Sequence, residues 1–109
     1  MSCLFCKIVN KEIPANIVYE NDHCLAFRDI APQAPTHILV IPKVHVDRHS
    51  NIQDPASLTL IHQAVLDIIK QENIQDYRLV INNGSEAGQT VWHLHLHILS
   101  GRPLSWPPG

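Results

Sequence analysis

The sequence predicts an α+β fold, with an antiparallel sheet of about five strands, one long helix, one or two short helices, and the helices packed on one side of the sheet. Three observations carry that prediction. Five short runs are rich in β-branched or alternating apolar residues, one longer stretch repeats apolar residues at helical spacing, and proline- or glycine-bearing breaks separate them. The chain has 109 residues, of which 45% are hydrophobic and 17% charged. That suits one core and one site, and it is too little charge for disorder.

The elements follow in order. Cys3 to Val9 reads as a turn or two of helix, and Pro14 ends whatever begins there. Asn16–Glu20 and His23–Arg28 read as the two strands of a hairpin around the polar corner Asn21-Asp22. Ala31-Pro32-Gln33-Ala34-Pro35 is a loop, because proline lacks the ladder donor and restricts the residue before it. His37 to Ile41 is an apolar, β-branched strand stopped by Pro42. Asp54 is an N-cap followed by Pro55, whose missing N–H costs nothing in a first helical turn. Leu58, Ile61, Val65, Ile68 and Ile69 then recur at helical spacing to about Gln71, while Gln63, Asp67 and Lys70 face outward. Arg78–Asn82 and Val91–Leu99 are the last two strands. The polar segment 83–90 between them exceeds the two to five or so residues of a simple hairpin loop, so it calls for another explanation.

Composition excludes several classes of function. The formal net charge is −2 and no lysine or arginine cluster appears, so the long-range field that draws a domain onto nucleic acid or an anionic membrane is missing. No apolar run is long enough to span a bilayer and no basic-then-apolar leader stands at Met1, which makes the cytoplasm the expected location. Cys3, Cys6 and Cys24 cannot all pair within one chain and read as reduced thiols.

The outlying feature is eight histidines, three of them at alternate positions. In a strand, His93, His95 and His97 project one way while Leu94, Leu96 and Ile98 project the other. An imidazole-lined pocket explains both the residue type and the alternation. Such a row can ligate a metal, or its middle ring can attack phosphorus while its neighbours handle protons and charge. Gly84, Gly88, Gln89 and Thr90, just ahead of the row, offer the backbone N–H groups and hydroxyl of an anion-binding loop. Phosphate beside imidazole favours the nucleophile.

His93-Leu94-His95-Leu96-His97-Ile98-Leu99 resembles the signature of the histidine triad (HIT) family. Residues 24–30, 34–37, 40–43, 88–91 and the closing Ser105-Trp106-Pro107-Pro108-Gly109 are similar to its nucleoside phosphoramidase branch. The resemblance implies a HIT-like fold whose sheet continues across a two-fold homodimer. It also implies a purine nucleoside phosphoramidase, which hydrolyses nucleoside 5′-phosphoramidates and acyl-adenylate-like adducts to the monophosphate. His95 would be the nucleophile that forms a covalent nucleotidyl-histidine, and His97 would contact phosphate oxygens. His93 and His37 would support the site and its protons, and Thr90 would stand beside the scissile bond where the branch usually has serine. Asn82, Gly88 and Gln89 match phosphate-side positions, Asp29 and Ile30 the ribose, and Phe5, Ile8, Ile13 and Phe27 the walls of the base cleft. Residues 1–109 would form one HIT domain. Its tail, 100–109, would carry Trp106 toward the partner subunit's site.

Cys3 and Cys6 form a Cys-x-x-Cys pair, a spacing that suits one tetrahedral metal and equally suits two reduced thiols near a terminus. Some bacterial relatives with the same pair complete a structural zinc site with histidines at the positions of His45 and His93. Catalysis in the family requires no cofactor. Two other functions compete with the enzyme: a nucleotide-binding scaffold with incidental hydrolysis, and a metal-handling protein. Within the family the nearest alternative is a dinucleoside polyphosphate hydrolase, against which the short chain and the Trp-Pro-Pro-Gly ending argue. His23, His49 and His62 read as solvated side chains.

Overall fold

A computed structural model describes residues 3–109, so the expectation of no leader at Met1 lies outside the described residues. Helix α1 spans Leu4–Val9, strand β1 Ile17–Glu20, β2 Cys24–Arg28, β3 Thr36–Pro42, helix α2 Ala56–Gln71, β4 Arg78–Ile81 and β5 Leu96–Ser100. One-turn 3-10 helices at His49–Asn51 and Ser85–Ala87 sit in the connections. The five strands form one antiparallel sheet in the order β1-β2-β3-β5-β4. Among the described residues, no helix is long and apolar enough to cross a membrane.

Local chemistry sets the ends of α2. The Asp54 carboxylate accepts the Ala56 N–H at 3.0 Å, Pro55 holds φ at −56°, and Asn73 takes a left-handed φ of 53° beyond the last turn. The buried stripe of α2 is Ile61, Ala64, Val65 and Ile68. It packs on Cys24, Ala26, Ile38, Val40, Leu94, Leu96 and Ile98 from one face of the sheet.

Two expectations change. Helices do not share one side of the sheet: α1 puts Phe5 and Ile8 against Leu25, Phe27, Leu39 and Ile41 on the opposite face. The reason is that β2 and β3 are apolar at successive positions, so both of their faces require cover. The last strand also begins later than the apolar pattern suggests, at Leu96 instead of Val91. The backbone ahead of it bonds elsewhere: the Leu94 N–H donates to the Val46 carbonyl at 2.6 Å, and the His93 carbonyl accepts from the ring of His95. Alternation survives without the ladder. Leu94, Leu96 and Ile98 join the α2 layer, while His93 and His95 pack edge-on against Phe5 on the α1 side.

Candidate active site

Each triad imidazole has a tautomer fixed by its partners. His95, 8% exposed, donates its Nδ1–H to the His93 carbonyl at 2.7 Å, which leaves a bare Nε2 lone pair. His93, fully buried, donates its Nε2–H to the Pro42 carbonyl at 2.8 Å, so its Nδ1 is the bare nitrogen.

The third ring is set by a relay. The Gln33 backbone N–H donates to His37 Nδ1 at 3.0 Å, which places the His37 proton on Nε2. That Nε2–H points to His97 Nδ1 at 2.8 Å, so His97 carries its own proton on Nε2, a buried atom with no partner among the described residues. Burial, aided by the neighbouring His95 and His37, pushes His97 down to about 4, and burial also lowers His37. Both rings are neutral at pH 7. The arrangement offers a lone pair at His95 and an unsatisfied donor at His97, with ring centroids 5.0 Å apart. A buried donor without a partner is costly, and a phosphate oxygen would satisfy it.

The loop ahead of the triad is shaped for close approach. Gly88 holds φ at 99°, a conformation that disfavours side chains, and faces the Asn82 amide, which a Cβ at Gly88 would meet at 3.7 Å. Gln89 is spent on structure: its amide donates to the Asp47 and Val91 carbonyls, its oxygen accepts the Gly84 N–H, and its own N–H goes to the Gly84 carbonyl. It shapes the loop and has no donor left to offer a ligand. Thr90 is exposed at the loop's end.

The remaining expected residues fall into three groups. Asp29 follows β2, with Oδ1 accepting the Ala31 N–H at 2.8 Å and Oδ2 lying 3.5 Å from His37 Nε2. Ile30 beside it is fully exposed. Phe5, Ile8 and Phe27 form a buried apolar group with Ile13 against it, and the Phe5 and Phe27 rings meet edge to face at 5.3 Å. Trp106 stands apart. Arg102 of the tail donates to the Gln33 carbonyl and Arg78 of β4 donates to the tail's Ser105 carbonyl, and Trp106 is 82% exposed. The parts that sequence reading missed are the Gln33 N–H, the Pro42 carbonyl and the internal duty of Gln89. Two of these are backbone groups, which carry no sequence signal.

Cys3, Cys6, His45 and His93 bring two Sγ and two Nδ1 atoms within 4.8 Å of one another. The sulfur-to-nitrogen distances are 3.4 Å for Cys3–His93, 3.6 Å for Cys6–His93 and 3.3 Å for Cys6–His45. Tetrahedral zinc, with Zn–S of about 2.3 Å and Zn–N of about 2.0–2.1 Å, places sulfur about 3.5 Å from nitrogen. The bare Nδ1 of His93, with its other nitrogen bonded to a carbonyl, is also the arrangement of a metal-bound histidine. The four residues fit zinc. A second trio, Asp29, His37 and His97, is equally close, but its two histidines are already bonded to each other in the relay.

A family model of the HIT domain matches residues 10–104. The chain belongs to the HIT domain family. It is 54% identical to an uncharacterized HIT-like protein of Synechocystis sp. over 97% of this chain and 96% of that one. Among solved structures, a HIT family hydrolase from Legionella pneumophila Philadelphia 1 superposes with a TM-score of 0.94 at 48% identity, covering 99% of this chain and 100% of that one. A histidine triad nucleotide-binding protein from Candida albicans superposes with a TM-score of 0.82 at 35% identity, covering 97% and 83%. The HIT fold thus holds the imidazole cluster described above.

Proposed function

We propose that this HIT protein is a purine nucleoside phosphoramidase, a hydrolase that cleaves the P–N bond of nucleoside 5′-phosphoramidates and the anhydride P–O bond of acyl-adenylate-like adducts. The observation that carries this reading is the pair of opposed tautomers, a bare Nε2 at His95 beside the orphaned Nε2–H of His97. The names of the Legionella and Candida neighbours, a hydrolase and a nucleotide-binding protein, agree with it.

In the proposed reaction His95 Nε2 forms a bond to the α-phosphorus while the P–N bond breaks, its electron pair leaving with the amine, which takes up a proton. Water then attacks phosphorus and gives up a proton, which balances the one the amine took up, while the phosphorus–imidazole bond breaks and the lone pair returns to Nε2. His97 donates to a phosphate oxygen, His37 holds His97 in its donating form, and His93 supplies the carbonyl that orients His95. Asn82, Gly88 and Thr90 border the phosphate, with Gln89 shaping their loop. Asp29 and Ile30 meet the ribose, and Phe5, Ile8, Ile13 and Phe27 wall the base. Cys3, Cys6, His45 and His93 would hold a structural zinc, which would brace the first turn of α1 against the triad segment; no step of the reaction passes through it. Residues 1–109 act as one domain in a homodimer, and the 100–109 tail brings Trp106 to the partner subunit.

Incubation with adenosine 5′-phosphoramidate tests the assignment. AMP should accumulate, and His95→Ala should lower the rate by about 10⁴-fold or more, as loss of a covalent nucleophile does elsewhere. An undiminished rate in that variant would contradict the nucleophile. Tight AMP binding with negligible turnover in the wild type would instead favour the scaffold reading.

A further inference from the structure

We propose that the Cys3–Cys6–His45–His93 cluster, when loaded with metal, is a positioning device for the nucleophile and not only a staple for the fold. This inference rests on the metal and phosphoramidase readings above. It starts from where β5 begins. The ladder takes hold at Leu96, so His93 and His95 lie ahead of the paired strand and need other restraints.

Those restraints converge on the cluster. The His93 ring is held at both nitrogens, Nε2–H to the Pro42 carbonyl at 2.8 Å and Nδ1 toward Cys3 and Cys6 Sγ at 3.4 and 3.6 Å. A residue whose side chain is fixed at two points has little freedom in its backbone, and the His93 carbonyl is the group that accepts the His95 Nδ1–H at 2.7 Å. A second path runs through α1. Cys3 and Cys6 bracket Phe5, whose ring lies edge-on to His95 with centroids 5.2 Å apart. The same four ligands therefore hold both the hydrogen-bond acceptor and the apolar wall of the attacking imidazole. Losing a ligand would free His93 and α1 together, and a misplacement of about 1 Å at a reacting group costs roughly 10²-fold in rate.

His45 is the ligand to remove, because it is exposed and lies outside both apolar clusters. His45→Ala should drop zinc content from about one per chain to a small fraction, with kcat for adenosine 5′-phosphoramidate down at least tenfold and KM changed less than threefold. His45→Cys should restore zinc and kcat together. A readout independent of turnover is the imidazole ¹⁵N spectrum. His95 should show a single Nδ1–H tautomer in the wild type and an averaged or broadened signature in His45→Ala, with the same change on chelating the wild type and its reversal on adding zinc.

Three results would overturn the inference: zinc loss with kcat and the His95 signature unmoved, wild-type protein that never takes up zinc, or a fall in kcat that His45→Cys does not rescue. If the wild type turns over no phosphoramidate, the phosphoramidase reading fails by itself. The ¹⁵N comparison then still decides whether the cluster holds His95.

Discussion

His97 shows how burial decides what a side chain can do. An ordinary histidine is protonated below about 6.5, whereas folded His97 stays neutral down to about 4. Between those values the unfolded chain binds more protons, so this residue's contribution to stability is complete above about 6.5 and is lost as pH falls toward 4. Chemical denaturation at pH 7.5 and 4.5 checks this. The wild type should lose more stability across that range than His97→Gln, by on the order of 2 kcal/mol. Equal losses would mean that His97 titrates as an exposed histidine. The alternation of imidazole and apolar residues, and so the two-sidedness of the triad, was legible in the sequence. The tautomers were not, because they depend on the Gln33 N–H, which any residue but proline supplies, and on the Pro42 and His93 carbonyls, which every residue supplies. Gln89 illustrates a further limit: its sequence position in a glycine-bearing loop does not show that its amide and backbone N–H bond within the protein.

At the scale of the element, α2 was the most legible part of the chain: Asp54 accepts the Ala56 N–H, Pro55 sits at the N-cap, one residue earlier than the expected first turn, and the apolar stripe is buried. Ala64 belongs to the buried stripe, although a small residue gives little sign of that. Ile68 is fully buried in the α2 layer. Its replacement by alanine should cost about 2–5 kcal/mol in urea denaturation, the usual range for an emptied core site. AMP affinity should be preserved where the protein remains folded, because this layer lies across the sheet from the imidazoles; a matching loss of affinity would refute that separation. The start of β5 was the least legible boundary. Leu94 and Leu96 continue the strand pattern, but the backbone at 93 and 94 bonds to a side chain and to the Val46 carbonyl.

For the whole molecule, the sheet order leaves β1 and β4 as edges. Leu60 and Leu66 of α2, Tyr77 ahead of β4 and Trp106 of the tail are exposed apolar residues. A homodimer would cover such surface. Light scattering at micromolar concentration should give twice the 12.3 kDa chain mass, and Trp106→Ala should alter the preference among leaving groups more than the affinity for AMP. A particle of one chain mass would remove the dimer and, with it, the tail's route to a second site.

The sheet also divides labour between its two sides. Under α2 lies an apolar filling, whereas under α1 a smaller apolar group borders the imidazoles to which the proposed chemistry is assigned. If the imidazole side holds the ligand as proposed, drift in the filling changes how long the protein survives heat more than it changes what is bound. A designer seeking a tougher version could repack the α2 side of that layer, Ile61, Ala64, Val65 and Ile68, and leave the residues that alternate with the imidazoles as inherited.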